Sequence, residues 1–241
     1  MITINQKDDP TQGCQYSHVN IDSLPDNIKI CVVNINTYQA LAEKISRIVL
    51  DFSWMMSLDP TIRLAYDYTV RETANKLNAI CSKVIENSQI EKDFGEIMVS
   101  ITASESLRQL FEHISLPISE LWKEKVTGNH GFDFHTICPT DLIHFGEAKY
   151  SSTENPYTAA IEQADRFITE EKHYRDIIHL SRIIEKGAPI QNLAQSKFSI
   201  VAAFSISSDN PKLIIENAVK KVSEFKINTF AQNIYLVGVI C

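Results

Sequence analysis

The spacing of apolar side chains changes near residue 117. Ahead of that point they recur every three or four positions, which is typical of amphipathic helices. A β-branched run at residues 27–35 predicts one strand before the helices, whereas residues 1–26, rich in Asp, Asn, Gln, Pro and Ser, are expected to be irregular. The helices predicted in this way cover residues 37–53, 60–87 and 90–113.

Beyond residue 117, short apolar runs separated by turn residues predict strands. The final strand–helix–strand unit is expected to lie parallel in the same sheet as a hairpin at residues 132–150. A further turn is expected at Gly128 and Asn129. The predicted strands are 117–126, 132–137, 142–150, 198–206 and 234–241, and the predicted helices are 157–174 and 211–225.

Together these elements predict a mixed α/β fold in which helices flank a central mixed sheet. The chain divides into two predicted regions. Residues 1–89 form a mainly helical region without recognisable chemistry, which we interpret as a scaffold or a partner surface. Residues 90–241 form the α/β core, and the candidate chemistry lies in this core.

The predicted hairpin carries three charged side chains that we expect to meet. Side chains alternate across a strand, so Glu147 and Lys149 point to one face. If the turn forms at residues 138–141, Asp133 lies opposite Gly146 or Glu147, where Cβ atoms are about 4.5–5.5 Å apart. Two such carboxylates suit one Mg²⁺ ion, with Mn²⁺ as a substitute, and Lys149 would stabilise negative charge on a phosphate.

The structural alternative is that each acid is a solvated charge at a sheet edge, and a Glu-x-Lys triplet is common by chance. However, the triplet at residues 147–149 lies within an apolar strand. Burial of Glu147 and Lys149 without a function would cost free energy unless they formed an ion pair. A buried ion pair rarely stabilises a fold more than apolar side chains packed in the same place. The conjunction with Asp133 therefore favours a site.

The composition is that of a soluble globular protein, because 44% of the 241 residues are hydrophobic and 22% are charged. The first residues lack the basic and apolar segments of a signal peptide, and no apolar run approaches the length of a membrane span. Five scattered cysteines without a CxxC pair disfavour a disulfide framework and a zinc ribbon. We therefore expect a cytoplasmic protein that does not contact a membrane.

The charge of the chain argues against tight binding of nucleic acid by the chain alone. The net charge is -7, and residues 120–175 contain ten acidic side chains against six Lys or Arg. Phosphate contacts supply most non-specific affinity for DNA, so we expect a partner that delivers the substrate. Five basic residues near the hairpin are either contacts to a phosphate backbone or solvated surface charges: Lys123, Lys125, Arg166, Lys172 and Arg175.

The hairpin residues resemble the metal-binding core of the PD-(D/E)xK nuclease superfamily. The resemblance lies in Asp133, thirteen intervening residues, and then Glu147, Ala148 and Lys149. It implies a restriction-endonuclease-like fold over roughly residues 90–240, with Asp133 and Glu147 as metal ligands and Lys149 as a catalytic residue. The chain departs from the namesake pattern because no Pro precedes Asp133.

Two residues on flanking helices add to the resemblance. Glu96 resembles the extra helical acid that many members place near the metal, and Gln163 resembles the catalytic helix glutamine of RecB-like members. Phe167 stands where those members often have Tyr. The resemblance therefore implies Glu96 as a third metal ligand and Gln163 as a supporting catalytic residue.

A narrower resemblance is to the nuclease subunit of Hachiman antiphage defence systems (HamA). It rests on chain length, a long N-terminal region, a helical Gly-Glu pair, and the Gly-Phe-Asp and Gly-Glu-Ala-Lys motifs that contain Asp133 and Glu147. It implies a Mg²⁺-dependent DNA endonuclease that acts with a helicase. Two alternatives remain open: an inactive nuclease-like module that holds a helicase, and a nuclease that cleaves RNA.

Other chemistry has less support in the sequence. His130, His135 and His144 cluster near the hairpin, and His135 shares a strand face with Asp133, but none has zinc-motif spacing. Cys138 has no evident base and is interpreted as an ordinary thiol. The chain contains neither a phosphate-binding loop motif nor a dinucleotide fingerprint, so ATP hydrolysis by this chain is not expected.

Overall fold

The computed structural model describes residues 1–87, 90–123 and 131–241, and its centre is a mixed β-sheet. The strands are β1 (Ile2–Asp9), β2 (Cys14–Asn20), β3 (Ile28–Ile35), β4 (Ile114–Ser115), β5 (Phe134–Ile137), β6 (Ile143–Lys149), β7 (Phe198–Ile206) and β8 (Ile234–Ile240). Their order across the sheet is β1-β2-β3-β8-β7-β6-β5-β4. The central strands β3, β8, β7 and β6 are parallel, and antiparallel pairs extend the sheet on both sides.

Helices cover this sheet and connect its parallel strands. They are α1 (Tyr38–Val49), α2 (Pro60–Asn87), α3 (Lys92–Phe111), α4 (Ser119–Trp122), α5 (Tyr157–Thr169), α6 (Lys172–Arg175), α7 (Ile177–Ile183), α8 (Gly187–Ala194), α9 (Pro211–Val222) and α10 (Ile227–Phe230). A 3-10 turn, Ser53–Ser57, joins the first two helices. Within the described residues, no helix combines the length and the apolar character that crossing a membrane requires.

The burial of the strands follows from their sequences. All nine positions of β7 are buried, in keeping with its nearly continuous apolar run. By contrast, β1 is an edge strand whose side chains are almost all exposed. The parallel centre of the sheet is therefore the core, and the predicted parallel strand–helix–strand unit formed by β7, α9 and β8 is confirmed.

Helices α3 and α5 cover opposite faces of β6. Phe145 packs with His173 of α6, next to α5, whereas the neighbouring His144 packs with His113, just beyond α3. Because side chains alternate along a strand, Glu147 and Lys149 project to the side of Phe145. Helix α3 is buried along most of its length because α1 and α2 pack on its outer side.

The N-terminal region differs from the prediction. Residues 1–26 were expected to be irregular, but they form β1, a turn and β2. The polar strand β1 escapes a search for apolar runs, because cross-strand pairing rather than burial holds an edge strand. Strand β2 is an inner strand that buries Tyr16 and Val19, but polar residues interrupt its apolar positions. Residues 1–87 thus contribute three strands as well as α1 and α2, and β3 pairs directly with the C-terminal β8.

The connections around the hairpin also differ from the prediction. A strand was expected at 117–126, but residues 119–122 form α4 and the short β4 precedes them. The remainder of that prediction, including the turn at Gly128 and Asn129, lies outside the described residues. The helix predicted at 157–174 is two helices, because Glu171 adopts left-handed backbone angles between α5 and α6.

Candidate metal-binding site on the hairpin

The hairpin has the predicted register. Phe134 pairs with Gly146, and Asp133, the residue before β5, donates its N–H to the Gly146 carbonyl oxygen, which places it next to Glu147 at the end of the strand pair. The turn at residues 138–141 is closed by backbone hydrogen bonds. Gly146 is required by packing, because a Cβ atom there would lie 2.3 Å from the Phe134 ring. The strand pair therefore fixes the spacing of the two carboxylates.

Glu147 is completely buried, with one carboxylate oxygen paired and the other unpaired. Oε1 accepts a hydrogen bond from Lys149 Nζ at 2.6 Å, whereas Oε2 has no partner among the described residues. Burial and then the charge of Asp133 raise the pKa of Glu147 well above its ordinary value, despite the opposing effect of Lys149. A buried acceptor without a donor is costly, so a cation at this oxygen would be stabilising.

Asp133 is held against the second strand by its backbone and its side chain. Its N–H donates to the carbonyl oxygen of Gly146 at 2.8 Å, and its Oδ2 accepts from the N–H of Ala148 at 2.8 Å. Burial raises the pKa of Asp133, although Lys149 and the Ala148 N–H favour the ionised carboxylate. The carboxylate that faces Glu147 is thus oriented by the hairpin itself.

Lys149 supplies the positive charge of the site. Its side chain is 24% exposed, whereas that of Glu147 is fully buried, so the ammonium lies at the boundary between the site and solvent. Burial disfavours the charged amine, but Glu147 and Asp133 outweigh this effect and raise the pKa of Lys149. The lysine is therefore charged at neutral pH and is oriented by Glu147.

Helix α3 brings a third acid near the hairpin. Gly95 permits the contact between α3 and the end of β6, because a Cβ atom there would lie 2.1 Å from the Tyr150 ring. The next residue, Glu96, forms an ion pair with Lys92 at 3.9 Å, and its side chain is 46% exposed. Its charge contributes to the raised pKa values of Asp133 and the hairpin lysine. Glu96 therefore influences the site but lies outside the buried pair.

Gln163 lies on α5, the helix that packs on β6 and β7. It is partly buried beside the buried Ala164, on the sheet face to which Glu147 and Lys149 project. Among the described residues, no hydrogen bond is found for its side chain. The catalytic role of Gln163 therefore stays a prediction.

The two hairpin carboxylates fit a Mg²⁺ or Mn²⁺ ion better than a metal held entirely by protein. Within the described residues, no group of three or more His, Cys, Asp or Glu side chains is placed to hold a metal ion. Mg²⁺ is commonly bound by one or two carboxylates and completes its coordination with water and phosphate oxygens. The Oε2 atom of Glu147, which has no partner among the described residues and belongs to a carboxylate that the charge of Asp133 influences, is the position that such an ion would satisfy.

Comparisons of the chain with protein-family models, with curated proteins and with solved structures found no match in any of the three.

A second buried polar cluster lies beside the carboxylates and was not predicted. In this cluster, His135 Nε2 donates to Asp176 Oδ2 at 3.0 Å, and the Ser119 hydroxyl lies 3.3 Å from His135 Nδ1. Lys123 Nζ donates to the same Asp176 oxygen at 2.8 Å and to the Phe132 carbonyl oxygen at 2.9 Å. These contacts define the His135–Asp176 cluster, formed by Ser119, Lys123, His135 and Asp176.

Electrostatics within the His135–Asp176 cluster favour neutral histidine and ionised aspartate. Burial lowers the pKa of His135, although Asp176 opposes this effect. Burial alone would raise the pKa of Asp176, but His135 and Lys123 outweigh it, and the pKa is lowered. Its members are distant in the chain, so no local sequence motif identifies them. The sequence offered only the presence of Lys123 and His135, two titratable residues near the hairpin.

The remaining candidates are accounted for differently. Both ring nitrogens of His135 face protein partners, so the ring is not presented to the carboxylates as a ligand. His144 projects to the other face, toward the His113 ring at 4.4 Å. Cys138 Sγ lies 3.0 Å from the Thr140 hydroxyl in the turn. His130 and Lys125 lie outside the described residues.

Proposed function

We propose that the chain is a metal-dependent nuclease that hydrolyses phosphodiester bonds at the hairpin. The observation that carries this proposal is the fully buried Glu147 carboxylate, whose Oε2 has no partner among the described residues and which lies across the hairpin from Asp133. A structural acid would be expected to have both oxygens satisfied. An acid that binds a cation instead leaves an oxygen available for that cation.

Each hairpin residue has a distinct role in this proposal. Asp133 and Glu147 hold Mg²⁺, for which Mn²⁺ can substitute, and Lys149 orients the attacking water and stabilises negative charge on the phosphate. When bound, the metal polarises the scissile phosphate and lowers the pKa of water. Gln163 and Glu96 support the arrangement from α5 and α3. The roles extend the resemblance to the PD-(D/E)xK superfamily, with its restriction-endonuclease-like fold.

The substrate and partner follow from the narrower resemblance to the Hachiman nuclease subunit. We assign DNA as the substrate, a helicase as the partner and antiphage defence in the cytoplasm as the setting. The net charge of -7 supports a partner that brings DNA to the site.

The direct test is cleavage of plasmid DNA and of labelled RNA by the full chain, alone and with a Hachiman-type helicase, in Mg²⁺ or EDTA. Glu147→Gln and Lys149→Ala should each lower the cleavage rate by at least about 10²-fold. Glu43→Gln and Lys212→Ala change similar but exposed side chains and should cleave normally. Wild-type cleavage by either hairpin variant would contradict the assignment, and cleavage of RNA alone would replace DNA as the substrate.

The competing proposal is an inactive nuclease-like module that binds a helicase. It is favoured by exposed apolar side chains near the start of α2, where Leu64 is 78% exposed, Tyr68 77% and Met56 72%. Mg²⁺ distinguishes the two functions. A nuclease should gain thermal stability from Mg²⁺ through Glu147, whereas a module without a metal site should not.

A further inference from the structure

A cavity of about 860 Å³ separates α2 from the segment that contains α6 and α7. One wall is formed by the middle of α2, including Thr69 and Lys76, and the opposite wall by Arg175 and Arg182. Leu121 of α4 contributes to the apolar part of the lining. We call this space the α2–α7 cavity. It lies at the junction of the N-terminal region and the predicted core.

The lining of the α2–α7 cavity is basic, in contrast to the chain as a whole. Five Lys or Arg side chains and two acidic side chains line it, in a chain with a net charge of -7. Two of the cations are paired with the acids, since Lys76 contacts Glu72 at 2.6 Å and Lys123 contacts Asp176 at 2.8 Å. A third cation, Lys172, is paired with Glu170, which lies outside the lining, at 2.8 Å, and Arg175 and Arg182 complete the basic residues of the lining. A cavity with this surplus of cations favours an anion.

The α2–α7 cavity reaches the start of the hairpin. Gly131, two residues before Asp133, forms part of its lining. Lys123 also lines the cavity, and its ammonium donates to the carbonyl oxygen of Phe132. The basic cavity and the acidic site are therefore contiguous.

We propose that the α2–α7 cavity binds the phosphate backbone of a single-stranded segment of nucleic acid and leads that strand to Asp133 and Glu147. Its volume of about 860 Å³ lies within the range of about 300–1,000 Å³ that is usual for small-ligand pockets, which suits a few nucleotides of one strand better than an enclosed duplex. The delivery step rests on the proposed nuclease function, whereas the binding step does not. Helix α2 thereby becomes part of the substrate site rather than only a scaffold.

Binding is measured separately from cleavage. The full chain is titrated in EDTA and low salt with fluorescent single-stranded DNA, single-stranded RNA and duplex DNA of equal length. A triple variant, Lys76→Gln, Arg175→Gln and Arg182→Gln, removes three cations of the cavity. Its affinity for single strands should fall about 10–100-fold, and the magnitude of the slope of log K against log salt should fall by about 2.

The matched control changes three exposed lysines away from the cavity, Lys212→Gln, Lys220→Gln and Lys226→Gln, and should bind single strands like the wild type. Circular dichroism and thermal denaturation establish that both variants are folded. Wild-type binding and salt slope in the cavity variant, or tighter binding of duplex than of single strands by the wild type, would overturn the proposal. Competition by inorganic pyrophosphate as strong as that by the oligonucleotide would identify a small phosphate compound as the ligand, and would also overturn it.

The two proposals fail separately. Glu147→Gln should keep full affinity for single strands while losing cleavage, because it lies outside the lining of the cavity. If the cavity variant loses single-strand binding and the wild type cleaves no nucleic acid under any condition, the binding role of the cavity is supported and the nuclease function is contradicted. If cleavage depends on Glu147 but the cavity variant binds single strands like the wild type, the nuclease function is supported and the binding role of the cavity is contradicted.

Discussion

The hairpin carboxylates and the His135–Asp176 cluster are neighbouring buried polar groups with opposite hydrogen-bonding states. In the cluster, Asp176 accepts from both His135 and Lys123, and each ring nitrogen of His135 has a partner. On the hairpin, Glu147 has an oxygen without a partner in the described part of the chain, and the charge of a second carboxylate, Asp133, acts on it. The two regions are adjacent in the fold, since His135 lies on β5 and Asp133 is the residue that precedes this strand.

The comparison distinguishes Asp176, which stabilises the fold through its hydrogen bonds, from Glu147, which is available to bind a ligand. The opposite directions of the pKa shifts agree with this distinction. The pKa of Asp176 is lowered, after burial is outweighed by His135 and Lys123, whereas burial and Asp133 raise the pKa of Glu147. Folding thus favours ionised Asp176 and disfavours ionised Glu147. Each of the following changes tests that contrast.

The largest expected effect is the loss of stability in Asp176→Ala. The substitution leaves buried His135 and the ammonium of Lys123 without their shared acceptor. Removal of one partner from a buried charge pair typically costs about 3–5 kcal/mol of unfolding free energy. Urea denaturation measures the change, with Asp209→Ala as the exposed control. A loss below about 1 kcal/mol would show that the cluster contributes little to stability.

The next effect is stabilisation by metal. Mg²⁺ or Mn²⁺ at a hundred times its Kd should raise the unfolding free energy by about 2.7 kcal/mol. Glu147→Gln should abolish this gain, because the oxygen that faces Asp133 is no longer a carboxylate. Thermal denaturation with metal or EDTA measures the effect, and Glu43→Gln serves as a control that retains both acids. An equal gain in Glu147→Gln would place the metal elsewhere.

A smaller effect is expected from pH in the metal-free protein. Because the folded pKa of Glu147 lies well above 4.5, the folded state retains a proton that the unfolded chain releases. Stability should therefore fall as pH rises from about 4.5 through the folded pKa, and this fall should be weaker in Glu147→Gln. Saturating Mg²⁺ should oppose the trend, since metal binding requires ionised carboxylates. Urea denaturation across pH ~5–8 measures the unfolding free energy of the wild type and of Glu147→Gln. Identical pH profiles for these two proteins would contradict the raised pKa of Glu147.

The smallest effect is expected for Glu96→Gln. Its carboxylate is 46% exposed and paired with Lys92, and it acts on Asp133 from outside the buried pair. Metal affinity should fall by less than about tenfold, which is below the roughly 10–100-fold loss typical of residues that hydrogen-bond the direct ligands. Isothermal titration with Mn²⁺ compares it with Glu91→Gln, an exposed acid at the N-cap of α3. A loss as large as that of Glu147→Gln would instead make Glu96 a direct ligand.

Prediction from sequence succeeded where the physical signal is local or periodic. The hairpin register follows from the two-residue alternation of strands and a Pro-containing turn, so the meeting of Asp133 and Glu147 was foreseeable. The parallel strands β7 and β8 follow from long apolar runs. By contrast, β1 was missed because its polar sequence is stabilised by pairing with β2, and β2 was missed because polar residues interrupt its buried positions such as Tyr16 and Val19.

The sequence by itself determined the mixed α/β class and the placement of three charged side chains on one hairpin, because both depend on short-range periodicity. Only the tertiary structure decided that Glu147 Oε2 is buried with no partner among residues 1–87, 90–123 and 131–241, and that Asp176 reaches His135 from forty-one residues away. It alone also decided that α2 faces Arg175 and Arg182 across a basic cavity. Burial and contact between distant segments depend on how all of the layers pack, and no local pattern encodes them.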